Sequence, residues 1–111
     1  VLQFDSDTQA IQFADRLMKY ISARDVYLRG LVAEAEGDQA RAIDAFVESA
    51  RVSEDFTPGY AQCLTLASLQ AKTEPARARV LLQRLVQAQP SRPVARELLK
   101  RLFGASDSEN R

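Results

Sequence analysis

Residues 27–60 read YLRGLVAEAEGDQARAIDAFVESARVSEDFTPGY, and this stretch decides the fold. Apolar side chains recur every three to four residues on both sides of Gly37-Asp38, as they do in amphipathic helices. Gly suits the left-handed position that follows a helix, and Asp caps the start of the next helix. The stretch therefore predicts two antiparallel helices, joined by a short turn.

The chain before this hairpin predicts a further amphipathic helix at residues 8–21, with one apolar face that we expect to be buried. We expect a break at residues 22–25, because an unbroken helix to Glu36 would be unusually long for a globular domain. Ser22 would then cap a second helix, with Asp25 as its capping-box partner; one continuous helix is the alternative. The apolar residues of the first segment are Ala10, Ile11, Phe13, Ala14, Leu17, Met18 and Ile21.

Three more helices are expected after the hairpin. Thr57 and Pro58 predict the start of one, Thr73 and Pro75 predict the start of the next, and Gly104 predicts the end of the last. The sequence thus predicts an all-α fold of about six helices in a single domain over residues 1–104. The polar residues 105–111 are expected to form a disordered tail. Because the chain begins with Val rather than Met, we expect it to be part of a longer protein.

The hairpin pattern repeats along the chain. Val26 and Tyr60 are 34 residues apart, and the same step takes Ala33 to Ala67. Small residues, a turn and a small-aromatic-small series recur here as they do in the tetratricopeptide repeat, a helix-turn-helix unit of 34 residues, which the stretch therefore resembles. The matching residues are Gly30, Gly37-Asp38, Ala42, Phe46 and Ser49.

The resemblance implies antiparallel helix-turn-helix repeats that stack into a right-handed superhelix. Tyr60 and Pro90 match the aromatic and closing proline positions of a second unit, which needs two extra residues in its turn. The first unit departs from the pattern at Val26, Arg29 and Glu54. The predicted units cover residues 23–56 and 57–92, and flanking helices at 8–21 and 93–103 would complete the core, since one repeat cannot bury its apolar face alone.

The residue types do not predict a catalytic centre, a cofactor site or a metal site. The chain has no His, the commonest general base and metal ligand, and no glycine-rich phosphate loop. We expect Cys63, the single cysteine, to pack in the core rather than react. The carboxylates near the hairpin turn lack metal-ligand spacing, so a solvated acidic face is expected. These carboxylates are Glu34, Glu36, Asp38 and Asp44.

Charge is unevenly distributed although the formal net charge is zero. Residues 1–56 carry eleven acidic and six basic side chains, whereas residues 57–111 carry four acidic and nine basic ones. Solvated faces are the simpler interpretation of this asymmetry, and self-association of the acidic and basic halves is the alternative. Arg92, Arg96 and Lys100 recur every four residues and predict a basic stripe for an acidic peptide or a second copy.

Other partner classes are not expected. The basic residues have no aromatic residues between them on which bases could stack, so nucleic acid is a poor candidate. The apolar runs are only a few residues long, so a membrane span is not expected. A single cysteine fits a reducing compartment, which favours the cytoplasm.

The family resemblance implies a function. In tetratricopeptide repeats, peptides bind the concave surface formed by the first helix of each unit, so we expect a non-enzymatic protein-protein interaction or scaffolding module. The alternative is an accessory or assembly domain of a larger enzyme or secretion component, with no ligand of its own. Tyr27 and Leu31 could instead pack against the N-terminal helix. The implied concave positions are Arg24, Tyr27, Leu31, Glu34, Ala61, Thr65 and Ser68.

Overall fold

The computed structural model describes residues 6–104, and the regular structure of this part of the chain is entirely helical. The prediction of an all-α fold is therefore confirmed. The predicted tail at residues 105–111 lies outside the described residues, as do residues 1–5. The helices are α1 (Asp7–Ala35), α2 (Gln39–Val52), α3 (Pro58–Thr73), α4 (Pro75–Ala88) and α5 (Val94–Phe103).

Helix α1 runs unbroken for 29 residues, so the break predicted at residues 22–25 is wrong. This segment contains no Gly or Pro, the residues that most strongly interrupt a helix. The Phe56 ring also packs against Tyr20 and Tyr27, at centroid distances of 5.3 and 5.4 Å. These tyrosines flank the expected break and lie about two turns apart on one face, so a single buried ring contacts both halves of α1. The described residues form five helices rather than about six.

The ends of the helices follow the predicted turn residues, with one exception. Gly37 has a φ of +85°, and Asp38 accepts a hydrogen bond from the backbone N–H of Arg41 at 3.1 Å. Helices α3 and α4 each begin with a proline, where the missing N–H removes no helical hydrogen bond. Thr73 was expected to cap α4, but it is the last residue of α3, and Glu74 takes the capping position.

The core extends along the chain because each helix packs against the next, and α2 also packs against α4. The side chains of Phe46, Leu82 and Leu85 are completely buried at its centre. A Cβ on Gly30 would lie 2.7 Å from Phe46 Cε1. The glycine in the middle of α1 therefore lets the hairpin helices approach closely, as its position in the sequence predicts.

The apolar face expected to be buried at residues 8–21 is exposed instead, so that prediction is wrong. Ile11 and Met18 are 69% and 68% exposed. The cause is the unequal length of the hairpin helices, since α2 has 14 residues and α1 has 29. Running back from the turn at Gly37, α2 reaches only the C-terminal half of α1.

Candidate functional site

Helix α1 carries eight of the twelve large apolar side chains that residues 6–104 leave exposed. Five of them follow one side of the helix, with exposed fractions from 41% at Ile21 to 69% at Ile11. Charged side chains accompany this row on both sides. We call the row the α1 face; its members are Ile11, Met18, Ile21, Leu28 and Val32.

The α1 face lies on the side of the helix opposite to α2. Ala23 and Gly30 are buried, and the side of Gly30 that would carry a Cβ faces the Phe46 ring of α2. Each residue advances about 100° around a helix, so Leu28 and Val32 project roughly opposite to Gly30. No other described helix covers that side, which leaves the row accessible along most of α1.

Two of the residues assigned to the concave surface have structural roles. Tyr27 is half-buried, and its ring lies 5.5 Å from the Phe46 ring and 5.4 Å from the Phe56 ring. Leu31 is half-buried against the core. Both side chains pack inward, but they contact the core of the domain rather than a separate N-terminal helix.

The remaining concave candidates are exposed. In α1, the Arg24 guanidinium lies 3.9 Å from the Asp25 carboxylate, and Glu34 accepts a hydrogen bond from Gln62 of α3 at 3.5 Å. In α3, the Thr65 hydroxyl donates to the Ala61 carbonyl at 3.3 Å. Among the described hydrogen bonds, only the one between Gln62 and Glu34 connects a concave candidate on α1 to helix α3. Ala61 and Ser68 are exposed on α3.

The basic stripe is interrupted, because Arg92 precedes the first residue of α5. Its guanidinium donates to the Gln89 side chain at 2.6 Å and to the Glu54 carbonyl at 3.0 Å. Arg96 donates to the Pro90 carbonyl at 2.7 Å. Two of the three residues of the predicted basic stripe, Arg92 and Arg96, therefore form hydrogen bonds within the turn before α5. The Lys100 side chain makes no hydrogen bond or ion pair with residues 6–104.

A groove between α2 and α4, with a volume of about 430 Å³, was missed by the sequence interpretation. Ile43, Val80 and Leu81 supply much of its apolar lining, and Asp44 of α2 forms an ion pair with Arg84 of α4 at 3.0 Å. The apolar periodicity marks these positions in each helix separately. It does not indicate that the second helix of one hairpin contacts the second helix of the next, and that contact is what forms the groove.

Gln70 also lines this groove. The side chain is only 9% exposed, and its Oε1 has no hydrogen-bond partner among residues 6–104. A buried amide oxygen is a strong acceptor, so the groove contains an acceptor with no described partner in addition to the Asp44–Arg84 ion pair.

Cys63 and the acidic side chains of residues 6–104 are the remaining groups to consider for chemistry. Cys63 is completely buried, and burial raises the pKa of its thiol to about 12, although nearby Arg84 opposes the shift. A thiol held in its protonated form is a poor nucleophile. No group of three or more His, Cys, Asp or Glu side chains within residues 6–104 is arranged to hold a metal ion.

Comparison with known proteins leaves the family open. The sequence matches no family model, and neither curated proteins nor solved structures give a significant match. Among the helices of residues 6–104, none combines the length and the apolar character needed to cross a membrane.

Proposed function

We propose that this chain is a non-enzymatic protein-protein interaction module, and that it binds its partner through the α1 face. The observation that carries the proposal is the row of five large apolar side chains exposed along one side of α1. Contiguous apolar surface rimmed by polar residues is typical of protein interaction sites, because covering it removes apolar area from water.

The surroundings of the α1 face suit a protein partner. The rim carries both signs of charge, with Asp15 as an acid and Arg24 and Arg29 as bases, and Asp25 lies within the row itself. Mixed charges around an apolar centre are found where proteins recognise each other, since the apolar centre supplies affinity and the charges select the partner.

The scaffold proposed for this surface is a tetratricopeptide-like array. Three features support it: the 34-residue step from Ala33 to Ala67, both of which are buried; the packing of each helix on the next; and the contact between α2 and α4. Stacked helical hairpins bring consecutive helices together in this way and place equivalent second helices side by side.

Site-specific photo-cross-linking tests the proposed surface. A photoreactive amino acid replaces Met18 on the α1 face or, as a matched control, Leu69 on α3, since the two side chains are 68% and 63% exposed. The folded chain is irradiated alone and in an extract of its source cells. We expect a discrete adduct with a protein, including another copy of the chain, from Met18 and not from Leu69.

Competition provides the second readout. Excess unlabelled wild-type chain should suppress the Met18 adduct, whereas an excess of the Ile21→Glu variant should not, because a carboxylate in the apolar row is costly to bury. Equal adducts from Met18 and Leu69, or equal suppression by both competitors, would overturn the proposal that the α1 face binds a protein.

A further inference from the structure

The α1 face has the spacing of a coiled-coil seam. With Ala14 and Asp25 included, its positions alternate by three and four residues, which is the heptad spacing that keeps one row of side chains facing a second helix. From Ile11 to Val32 the row covers about 30 Å at 1.5 Å per residue. In heptad terms, the a positions are Ile11, Met18, Asp25 and Val32, and the d positions are Ala14, Ile21 and Leu28.

We propose that the α1 face pairs with the α1 face of a second copy of this chain, with the two helices antiparallel. The inference rests on the proposed function and names its partner. A heptad row is complementary to another heptad row, and an identical helix offers the same apolar side chains at the same spacing.

Charge excludes the parallel arrangement. In a parallel pair, residues at equivalent a positions face each other, so Asp25 would meet the partner's Asp25 in the middle of the seam. Arg24 and Arg29, at flanking positions five residues apart, would also meet across the interface. Both contacts oppose like charges, and the first would do so where water is being removed.

The antiparallel arrangement separates the two Asp25 side chains and defines a register. It places Arg24 beside the partner's Arg24, where each guanidinium lies near the Asp25 carboxylate of its own chain. In antiparallel coiled coils an a position packs against a d position of the other helix. Met18 then packs against the partner's Leu28. Asp25 packs against the partner's Ile21, close to the guanidinium of the partner's Arg24. A single polar residue at a core position fixes register and orientation at some cost in stability, and Asp25 occupies that role here.

The same register pairs opposite charges beside the seam. Asp15 approaches the partner's Arg29, and two-fold symmetry repeats the contact at the other end. The Arg29 side chain forms no ion pair with residues 6–104, and Asp15 contacts the exposed Lys19 at 3.2 Å. Both groups are therefore available to a partner. Because α2 packs on the opposite side of α1, the remaining helices of each subunit lie outside the seam.

A charge-swap experiment tests the pairing. The dimer dissociation constant is measured by sedimentation equilibrium for the wild type, for Asp15→Arg, for Arg29→Asp and for the double variant. Each single substitution should weaken the dimer about tenfold, since two symmetric attractions become repulsions, and the double variant should restore most of the loss. Helical content, from circular dichroism, controls for folding.

Disulfide trapping tests the orientation. In the antiparallel register Ser22 lies near the two-fold axis, so a Ser22→Cys chain should cross-link to itself. Met18 packs against the partner's Leu28, so it is separated from the partner's Met18 by ten residues along the helix axis, or about 15 Å. Met18→Cys should therefore not cross-link. Buried Cys63 is left in place, and peptide masses identify the linked residue.

Contrary outcomes separate the two proposals. A Met18→Cys cross-link without a Ser22→Cys cross-link, or a double charge variant weaker than both single variants, would overturn the antiparallel pairing. A folded chain that stays monomeric up to millimolar concentration would also overturn it. In that last case, a Met18 photo-adduct with a different protein would still support the proposed function.

Discussion

At the scale of the residue, two glycines determine how closely helices approach Phe46. Gly30 of α1 faces the Phe46 ring, and Gly59 of α3 faces the Phe46 carbonyl and the Ser49 hydroxyl. The position of Gly30 in the middle of an amphipathic helix predicts a close neighbour. Gly59 follows Pro58 in a turn-like sequence, so its packing role cannot be distinguished from a turn role before α2 and α3 are seen together.

Gly30→Ala should lower the free energy of unfolding by up to about 2 kcal/mol. Alanine favours the helix by nearly 1 kcal/mol, but its Cβ would lie 2.7 Å from the Phe46 ring, and overpacking a core costs about 1–3 kcal/mol. Urea denaturation measures the change. The Phe46→Leu background is the control, since a smaller side chain there should remove most of the penalty; stabilisation by Gly30→Ala would contradict the close approach.

Cys63 should make stability fall at alkaline pH. Its thiol has a pKa of about 12 in the folded chain and an ordinary value of 9.0. Between these values the unfolded state releases the proton while the folded state keeps it, so the unfolded state gains stability as the pH rises. The free energy of unfolding falls by about 4 kcal/mol once the pH has passed the pKa of the folded chain, because one unit of pKa difference corresponds to about 1.36 kcal/mol.

The Cys63→Ala variant isolates this effect from other alkaline titrations. Chemical denaturation at several pH values above 9.0 should give a shallower fall in stability for the variant than for the wild type. A thiol reagent should also modify native Cys63 far more slowly than the unfolded chain. Parallel stability curves, or rapid modification of the native chain, would mean that the thiol is not buried.

At the scale of the element, α1 shows the difference between what local sequence indicates and what packing decides. The capping options at Ser22 and Asp25 and the usual length of helices favoured a break, but neither residue disrupts a helix by itself. Phe56, distant in sequence, packs against Tyr20 before the expected break and against Tyr27 after it. Nearer the N-terminus, Arg16 hydrogen-bonds to Asp55 at 2.7 Å, and these bonds lower the pKa of the Asp55 carboxyl.

Phe56→Ala should loosen the N-terminal half of α1 more than the rest of the domain. The ring is 4% exposed, and removing a buried aromatic side chain usually costs about 3–5 kcal/mol. Hydrogen exchange followed by mass spectrometry should show faster exchange near Tyr20, with smaller changes in α4. The exposed Leu69→Ala is the control; uniform acceleration in all helices would argue against a local contact between Phe56 and α1.

At the scale of the whole molecule, the hairpins and the order of the helices could be predicted from the sequence. Which element packs against each apolar helix face could not. Periodicity shows that residues 8–21 have an apolar face, yet it does not indicate what packs on that face. The short α2 leaves the face exposed. Part of the charge asymmetry is also used within the chain, where Asp44 of the acidic half pairs with Arg84 of the basic half.

The central claim is that the α1 face is an interaction surface that joins two copies of the chain. Sedimentation equilibrium of two double variants tests it most directly. Ile21→Glu with Leu28→Glu places two carboxylates on the α1 face, and Leu69→Glu with Val80→Glu places two at comparably exposed apolar positions on α3 and α4.

We expect the wild type and the α3–α4 variant to have the mass of a dimer at high concentration, and the α1 variant to be a folded monomer, because its carboxylates would be buried without partners. If all three folded chains have the same mass at every concentration, association does not depend on the α1 face, and the account is contradicted.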